Sequence, residues 1–144
     1  MSARFTKTAF INIVEEPEQN LFPTSQWKML QSLLEFNKMN NGNKLILTTH
    51  SPYLINYLTL AVKAGELKQQ IKTNAQRNSL ERIVPSEATI DAKDLSIYEL
   101  DEQRGSIQPL KTYEGLPSDE NRLNKMLDEG NELFAQLIEI QQQL

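Results

Sequence analysis

The pattern of apolar positions first predicts a buried strand near the start of the chain. Residues 8–14 contain two polar residues and no charge, so we expect a strand that is buried on both faces, as in a parallel sheet. Pro17 has no backbone N–H and cannot continue the ladder of such a strand. The loop that follows is therefore predicted to carry Glu15, Glu16 and Glu18.

The next apolar positions recur at helical spacing. Pro23 suits the first turn of a helix, and a single apolar stripe follows it, formed by Trp27, Leu30, Leu33 and Leu34. Gly42 is expected to end this helix in the left-handed conformation.

Residues 44–49 predict a second strand, which a right-handed crossover would place parallel to the first. Ser51 and Pro52 suit the N-cap and first position of a helix that reaches about Lys63. The polar residues 65–80 fit either an extension of this helix or a connector.

The last third of the chain predicts a hairpin and a helix. Residues 96–100 and 106–110 flank a turn in which Gly105 supplies a positive φ. Apolar residues then recur at helical spacing from about 120 to 141, although Gly130 weakens that helix by roughly 1 kcal/mol. We expect an α/β fold with a parallel sheet, flanking helices, a β-hairpin and a C-terminal helix.

Composition narrows the class of protein. A chain of 144 residues with 39% apolar and 24% charged residues and no cysteine fits one ordinary globular domain in a reducing compartment, so the cytoplasm is expected. No apolar run is long enough for a membrane span. The net charge of −4 disfavours direct binding to nucleic acid, which depends on clustered Lys and Arg.

The candidate chemistry lies where the two predicted strands end. Ligands of open α/β sheets bind outside the carboxyl ends of the strands, and there the first strand delivers Glu15 and Glu16. The single histidine, His50, ends the second strand within Thr49-His50-Ser51-Pro52. Adjacent acids suit a Mg²⁺-nucleotide: one holds the cation, usually through water, and the other orients an attacking water.

With these residues in view, the chain resembles the C-terminal half of an ABC-type ATPase domain of the SMC-like and overcome-lysogenization-defect-like group. The resemblance covers residues 10–58. It implies that Glu15 is the Walker B acid that holds Mg²⁺ through water, that Glu16 is the catalytic glutamate and that His50 is the switch histidine.

The same resemblance assigns residues 17–23 to the D-loop region, with Glu18 and Asn20 as nucleotide-binding residues, and implies ATP and Mg²⁺ as cofactors. The sequence departs from a complete ATPase, because none of its five glycines precedes a lysine. There is no Walker A loop to cradle the phosphates.

The main hypothesis is therefore an ATPase fragment that is inactive without a P-loop half. The alternative is a non-catalytic interaction module that has lost the P-loop. A stand-alone metal hydrolase is less favoured, since no further ligands converge by spacing.

The expected organisation is an ATPase part over residues 1–64, a polar connector over 65–93, and the hairpin and last helix over 94–144 in the same domain. The expected partner is an N-terminal ATPase half or a second copy, because a strand without its neighbours leaves an open edge. Any contact with nucleic acid would be indirect.

Overall fold

Two parallel strands form the base of the first part of the fold. The computed structural model describes residues 8–101, 104–117 and 119–142, and the chain divides into two units, Met1–Leu95 and Ser96–Leu144. Strand β1 (Ile11–Glu15) pairs in parallel with β2 (Lys44–Thr48). The predicted α/β fold class is confirmed.

Two helices pack on this strand pair and form the core of the first unit. Helix α1 (Pro23–Lys38) begins at the predicted proline, and α2 (Pro52–Gln70) begins directly after Ser51. Leu30 of α1 and Leu54 of α2 are almost fully buried in one apolar cluster. The stripe predicted for α1 therefore faces the core.

The strands are covered on one face only, so the prediction that β1 is buried on both faces is wrong. Leu45 and Leu47 pack against the helical core. On the opposite face Ile11, Ile13 and Ile46 are 61%, 64% and 49% exposed. We call this exposed side of β1 and β2 the open sheet face. The apolar sequence of β1 is typical of a strand that is buried on both faces, but the described residues cover only one of its faces.

Gly42 does not have the left-handed conformation that we predicted for it. Its φ is not among the positive values of the described residues, and α1 ends at Lys38 with Met39 still in the right-handed helical region. A Cβ atom on Gly42 would lie 2.6 Å from the Cβ of Ala9. Position 42 therefore requires glycine because Ala9, in the segment before β1, lies too close for a larger side chain.

The polar segment after α2 is more structured than a connector. Helix α2 continues past Lys63 to Gln70, and α3 (Asn74–Glu81) follows it. Helix α3 begins with a capping box in which Thr73 and Gln76 bond to each other's backbone N–H groups. Val84 and Ala88, beyond α3, are buried in the core of the unit.

The end of α1 is tied to this segment through Lys38. Its ammonium group donates to the hydroxyl of Thr89 at 3.0 Å and to the carbonyl of Ser86 at 3.4 Å. Burial, followed by the nearby charge of Lys68, lowers the pKa of Lys38 from its usual value.

The predicted hairpin is present in the second unit. Strand β3 (Tyr98–Asp101) pairs antiparallel with β4 (Ser106–Pro109), with Leu100 opposite Ile107. Gly105 has a φ of 60°, which is the positive value predicted for it.

A second, shorter hairpin follows β4. Strands β5 (Thr112–Tyr113) and β6 (Leu116–Pro117) are joined by Glu114 and Gly115, with φ values of 50° and 80°. Two consecutive positive φ values are the signature of a type I′ turn.

The predicted C-terminal helix is α4 (Arg122–Gln142). Its first backbone N–H donates to the Glu99 carboxylate of β3 at 2.8 Å. Across the described residues no helix is long and apolar enough to cross a bilayer.

Candidate functional site

Glu15 and Glu16 take different directions at the edge of the sheet. Glu15 was predicted on the loop but is the last residue of β1, because its backbone still pairs with β2; it lies opposite Thr48 and is exposed. Side chains alternate along a strand, so it shares the open sheet face with Ile11 and Ile13. Glu16 has a φ of 42°, which turns the chain away from the strand direction.

The backbone of Glu16 is held at the end of β2 by two contacts. Its N–H donates to the carbonyl of Thr48 at 2.9 Å and approaches the Thr48 hydroxyl at 3.3 Å. A left-handed conformation costs free energy for a residue other than glycine, and these contacts help to fix it. The carboxylate therefore has a defined position at the carboxyl end of both strands.

Glu16 and His50 form the central pair of the site. Nε2 of His50 lies 3.2 Å from Oε1 of Glu16, while the Gln19 amide donates to the second carboxylate oxygen. The His50 side chain is 83% exposed and that of Glu16 is 35% exposed. The fold thus joins the two residues predicted to be catalytic, and leaves both within reach of solvent.

Glu18 faces inward and binds the end of β2. Its Oε1 accepts hydrogen bonds from the Thr49 hydroxyl at 2.6 Å and from the His50 backbone N–H at 2.9 Å. The residue is only 9% exposed. Among the described residues its other oxygen, Oε2, is buried without a hydrogen-bond partner. Glu18 is therefore placed to fix the backbone that carries His50.

A buried polar link lies behind the site. The Ser51 hydroxyl donates to Oε1 of Gln26 at 2.6 Å, and the Gln26 amide donates to the Leu21 carbonyl at 3.0 Å. Ser51 occupies the predicted N-cap position of α2, but its side chain makes no cap bond. It joins the starts of α1 and α2 instead.

Asn20 lies at the far end of the acidic turn. It is exposed and has a φ of 60°, a conformation that asparagine tolerates better than most residues. Its predicted contact with nucleotide stays a prediction.

Sequence reasoning missed three supporting residues, Gln19, Gln26 and Thr49. Thr49 belongs to the Thr-His-Ser-Pro segment and could have been examined as a ligand of a nearby acid. Gln26 carries no comparable signal, since its role depends on how α1 packs against α2.

The carboxylates and the imidazole of this site could bind a cation only together with other ligands. Among the described residues no group of three or more His, Cys, Asp or Glu side chains could hold a metal ion. Mg²⁺ is commonly bound by one or two carboxylates, keeps several waters and takes its remaining ligands from nucleotide phosphates. The exposed carboxylate of Glu15 therefore fits a Mg²⁺ ion that arrives with a nucleotide.

Comparison with known families identifies the same part of the chain. Residues 3–55 match the family model described as the AAA ATPase domain. Over these residues, which are less than half of the chain, the sequence is similar to part of an AAA-type ATPase domain. The matched segment contains the acidic turn, both parallel strands and His50, so all the site residues described above lie within it. The AAA ATPase family uses ATP and Mg²⁺ in general. No curated protein and no solved structure matches the chain significantly.

The inward position of Glu18 leads to a prediction about the stability of the first unit. Glu18→Ala leaves the donors of Thr49 and His50 without their acceptor, and we expect the free energy of unfolding to fall by about 1–2 kcal/mol. Glu18→Gln keeps an oxygen in place and should lose less. Urea unfolding followed by fluorescence of Trp27 measures both.

The control for this comparison is Glu35→Ala on the exposed side of α1, which should change stability by no more than about 0.5 kcal/mol. If Glu18→Ala is as stable as this control, Glu18 does not hold the end of β2.

Proposed function

We propose that this chain supplies the water-activating part of an ABC-type ATP-hydrolysing site. The observation that carries the proposal is the contact between Glu16 and His50, 3.2 Å apart, at the carboxyl end of the parallel strands. A carboxylate and an imidazole in this position can accept a proton from water and donate a hydrogen bond to phosphate. Glu15 lies beside them at the end of β1.

In this proposal each residue has one task. Glu15 holds Mg²⁺ through water, Glu16 orients the attacking water, and His50 exchanges its contact with Glu16 for one with the terminal phosphate. Glu18 positions the backbone of His50, and Asn20 contacts the nucleotide from the acidic turn. When bound with ATP, Mg²⁺ neutralises charge on the phosphates.

The phosphate-binding part of the site has to come from a segment that this sequence does not contain. Phosphoryl transfer depends mainly on positioning and charge stabilisation by a P-loop lysine and backbone amides. No glycine of this chain is followed by lysine, so these groups are missing.

The open sheet face indicates where such a segment would pack. Parallel strands are normally covered by helices on both faces, whereas Ile11, Ile13 and Ile46 are exposed. Glu15 belongs to the same face. A P-loop segment that covers the three isoleucines would therefore approach the site from the side on which the proposed Mg²⁺ ligand lies.

The proposal is tested by reconstitution. The chain alone is expected to show no steady ATP hydrolysis, and a P-loop-bearing polypeptide of the same ATPase class, added in trans, should produce Mg²⁺-dependent turnover. A steady rate from the chain alone that disappears in Glu16→Gln would contradict the division of the site. Failure of a well-folded complex to turn over ATP would contradict the catalytic role.

The second candidate function is a non-catalytic interaction module. The observations that favour it are the missing P-loop and the exposed isoleucines, which would then serve only as a binding surface. A complex that forms through this face but binds no ATP would support it. In either case the net charge of −4 disfavours direct binding to nucleic acid, so any such contact would be indirect.

A further inference from the structure

Helix α4 exposes an apolar stripe along its whole length. No residue of α4 is buried, and six of its large apolar side chains are between 56% and 63% exposed, namely Met126, Leu127, Leu133, Phe134, Leu137 and Ile140. Soluble proteins rarely leave so continuous an apolar surface without a partner.

The spacing of the stripe is that of a helix that pairs with another helix. Leu123, Met126, Gly130, Leu133, Leu137 and Ile140 alternate at steps of three and four residues, which is the a/d repeat of a coiled coil over three heptads. Leu127 and Phe134 each follow a d position and widen one side of the stripe. The sequence of α4 therefore favours a narrow helical partner over a broad globular surface.

We propose that α4 is an interface at which two copies of this chain pair as antiparallel helices. The inference does not depend on the ATPase function, since it concerns only the second unit. What selects the orientation is the distribution of charge along the helix.

The two basic residues of α4 lie together at its start. Arg122 and Lys125 are in the first turn, Asp128, Glu129 and Glu132 follow in the middle, and Glu139 lies near the far end. A parallel pair would bring every one of these like charges level with its copy. An antiparallel pair brings the basic first turn of one copy level with Glu139 of the second copy, leaves only the acids of the middle at similar heights, and opposes the two helix dipoles.

The antiparallel arrangement also aligns the apolar positions. When Met126 is level with Leu137 of the second copy, Leu123 is level with Ile140 and Gly130 with Leu133. Each of these layers occurs twice by symmetry. The missing side chain of Gly130 leaves room for the leucine opposite it, and an added Cβ there would meet nothing within 4 Å in the single chain. The seam, from Leu123 to Ile140, would extend along about 26 Å of helix.

The first experiment measures the mass of the full chain in solution. Sedimentation at micromolar concentration is expected to give twice the chain mass of 16.5 kDa. Leu137→Glu places one charge from each copy inside the seam. This variant should be a monomer with unchanged helix content by circular dichroism. Ala135→Glu, an exposed position outside the stripe, is the matched control and should remain a dimer. A monomeric wild-type chain, or a dimer that survives Leu137→Glu, overturns the proposal.

The second experiment tests the orientation by disulfide cross-linking. The chain has no cysteine of its own, so only the introduced cysteines can react. Under oxidation, a mixture of Met126→Cys and Leu137→Cys chains should form a disulfide-linked pair. Met126→Cys alone should not, because the two copies of residue 126 would be about 16 Å apart along the axis, beyond the reach of a disulfide. Efficient cross-linking of Met126→Cys with itself would indicate a parallel pair and overturn the orientation.

Discussion

Glu16→Gln in the reconstituted complex is expected to lower kcat for ATP hydrolysis by roughly 10²–10⁴-fold, the usual contribution of a general base. The amide keeps the size of the side chain, and its one oxygen can still accept from either His50 or Gln19, which contact the two carboxylate oxygens. It cannot take the proton of the attacking water. ATP affinity should change little, because the substitution removes an interaction that is made in the transition state.

The matched control is Glu66→Gln on α2, where the carboxylate pairs with Lys63 at the surface. This variant should retain the full rate, since surface ion pairs contribute little. Single-turnover measurements separate the chemical step from product release. If Glu16→Gln and Glu66→Gln hydrolyse ATP equally fast, Glu16 is not the residue that activates water.

Gly65→Ala is expected to lower the free energy of unfolding by about 2–3 kcal/mol, toward the upper end of overpacking effects. A Cβ atom on Gly65 would lie 2.1 Å from the Ile90 carbonyl oxygen and 2.9 Å from its carbon. The Ile90 backbone cannot retreat easily, because its N–H donates to the Ala61 carbonyl at 3.0 Å. The clash therefore outweighs the roughly 1 kcal/mol by which alanine favours a helix over glycine.

Gly130→Ala is the matched control for that prediction. It is made in the monomeric Leu137→Glu chain, because Gly130 lies in the proposed seam opposite Leu133 of the second copy. In that single chain nothing lies within 4 Å of the added atom, so stability should rise by up to about 1 kcal/mol. Urea unfolding followed by circular dichroism measures both variants. Equal stability of Gly65→Ala and the unchanged chain would mean that α2 and residue 90 do not approach so closely.

Local sequence signals predicted most of the elements of this fold. Pro23 and Pro52 mark the first residues of α1 and α2, and Gly105 has the positive φ expected in the hairpin. These features depend on the conformational limits of individual residues, which can be read without knowledge of the rest of the chain. The capping box at Thr73 and Gln76 was an equally local signal, and it would have identified α3.

The features that sequence reasoning missed depend on distant contacts. An apolar strand such as β1 predicts burial, yet which of its faces is covered depends on segments that pack against it. Gly42 is a small residue because Ala9 approaches it, and Ser51 donates to Gln26 because α1 and α2 begin side by side. The candidate site was easier to predict, since carboxyl ends of adjacent parallel strands meet at one edge whatever surrounds the sheet.

The buried carboxylate of Glu18 has a mechanical consequence. It joins the acidic turn to Thr49 and to the backbone of His50 through two hydrogen bonds of 2.6 and 2.9 Å. A displacement of the turn would therefore move the end of β2 with it, and the orientation of the imidazole depends on the position of the turn.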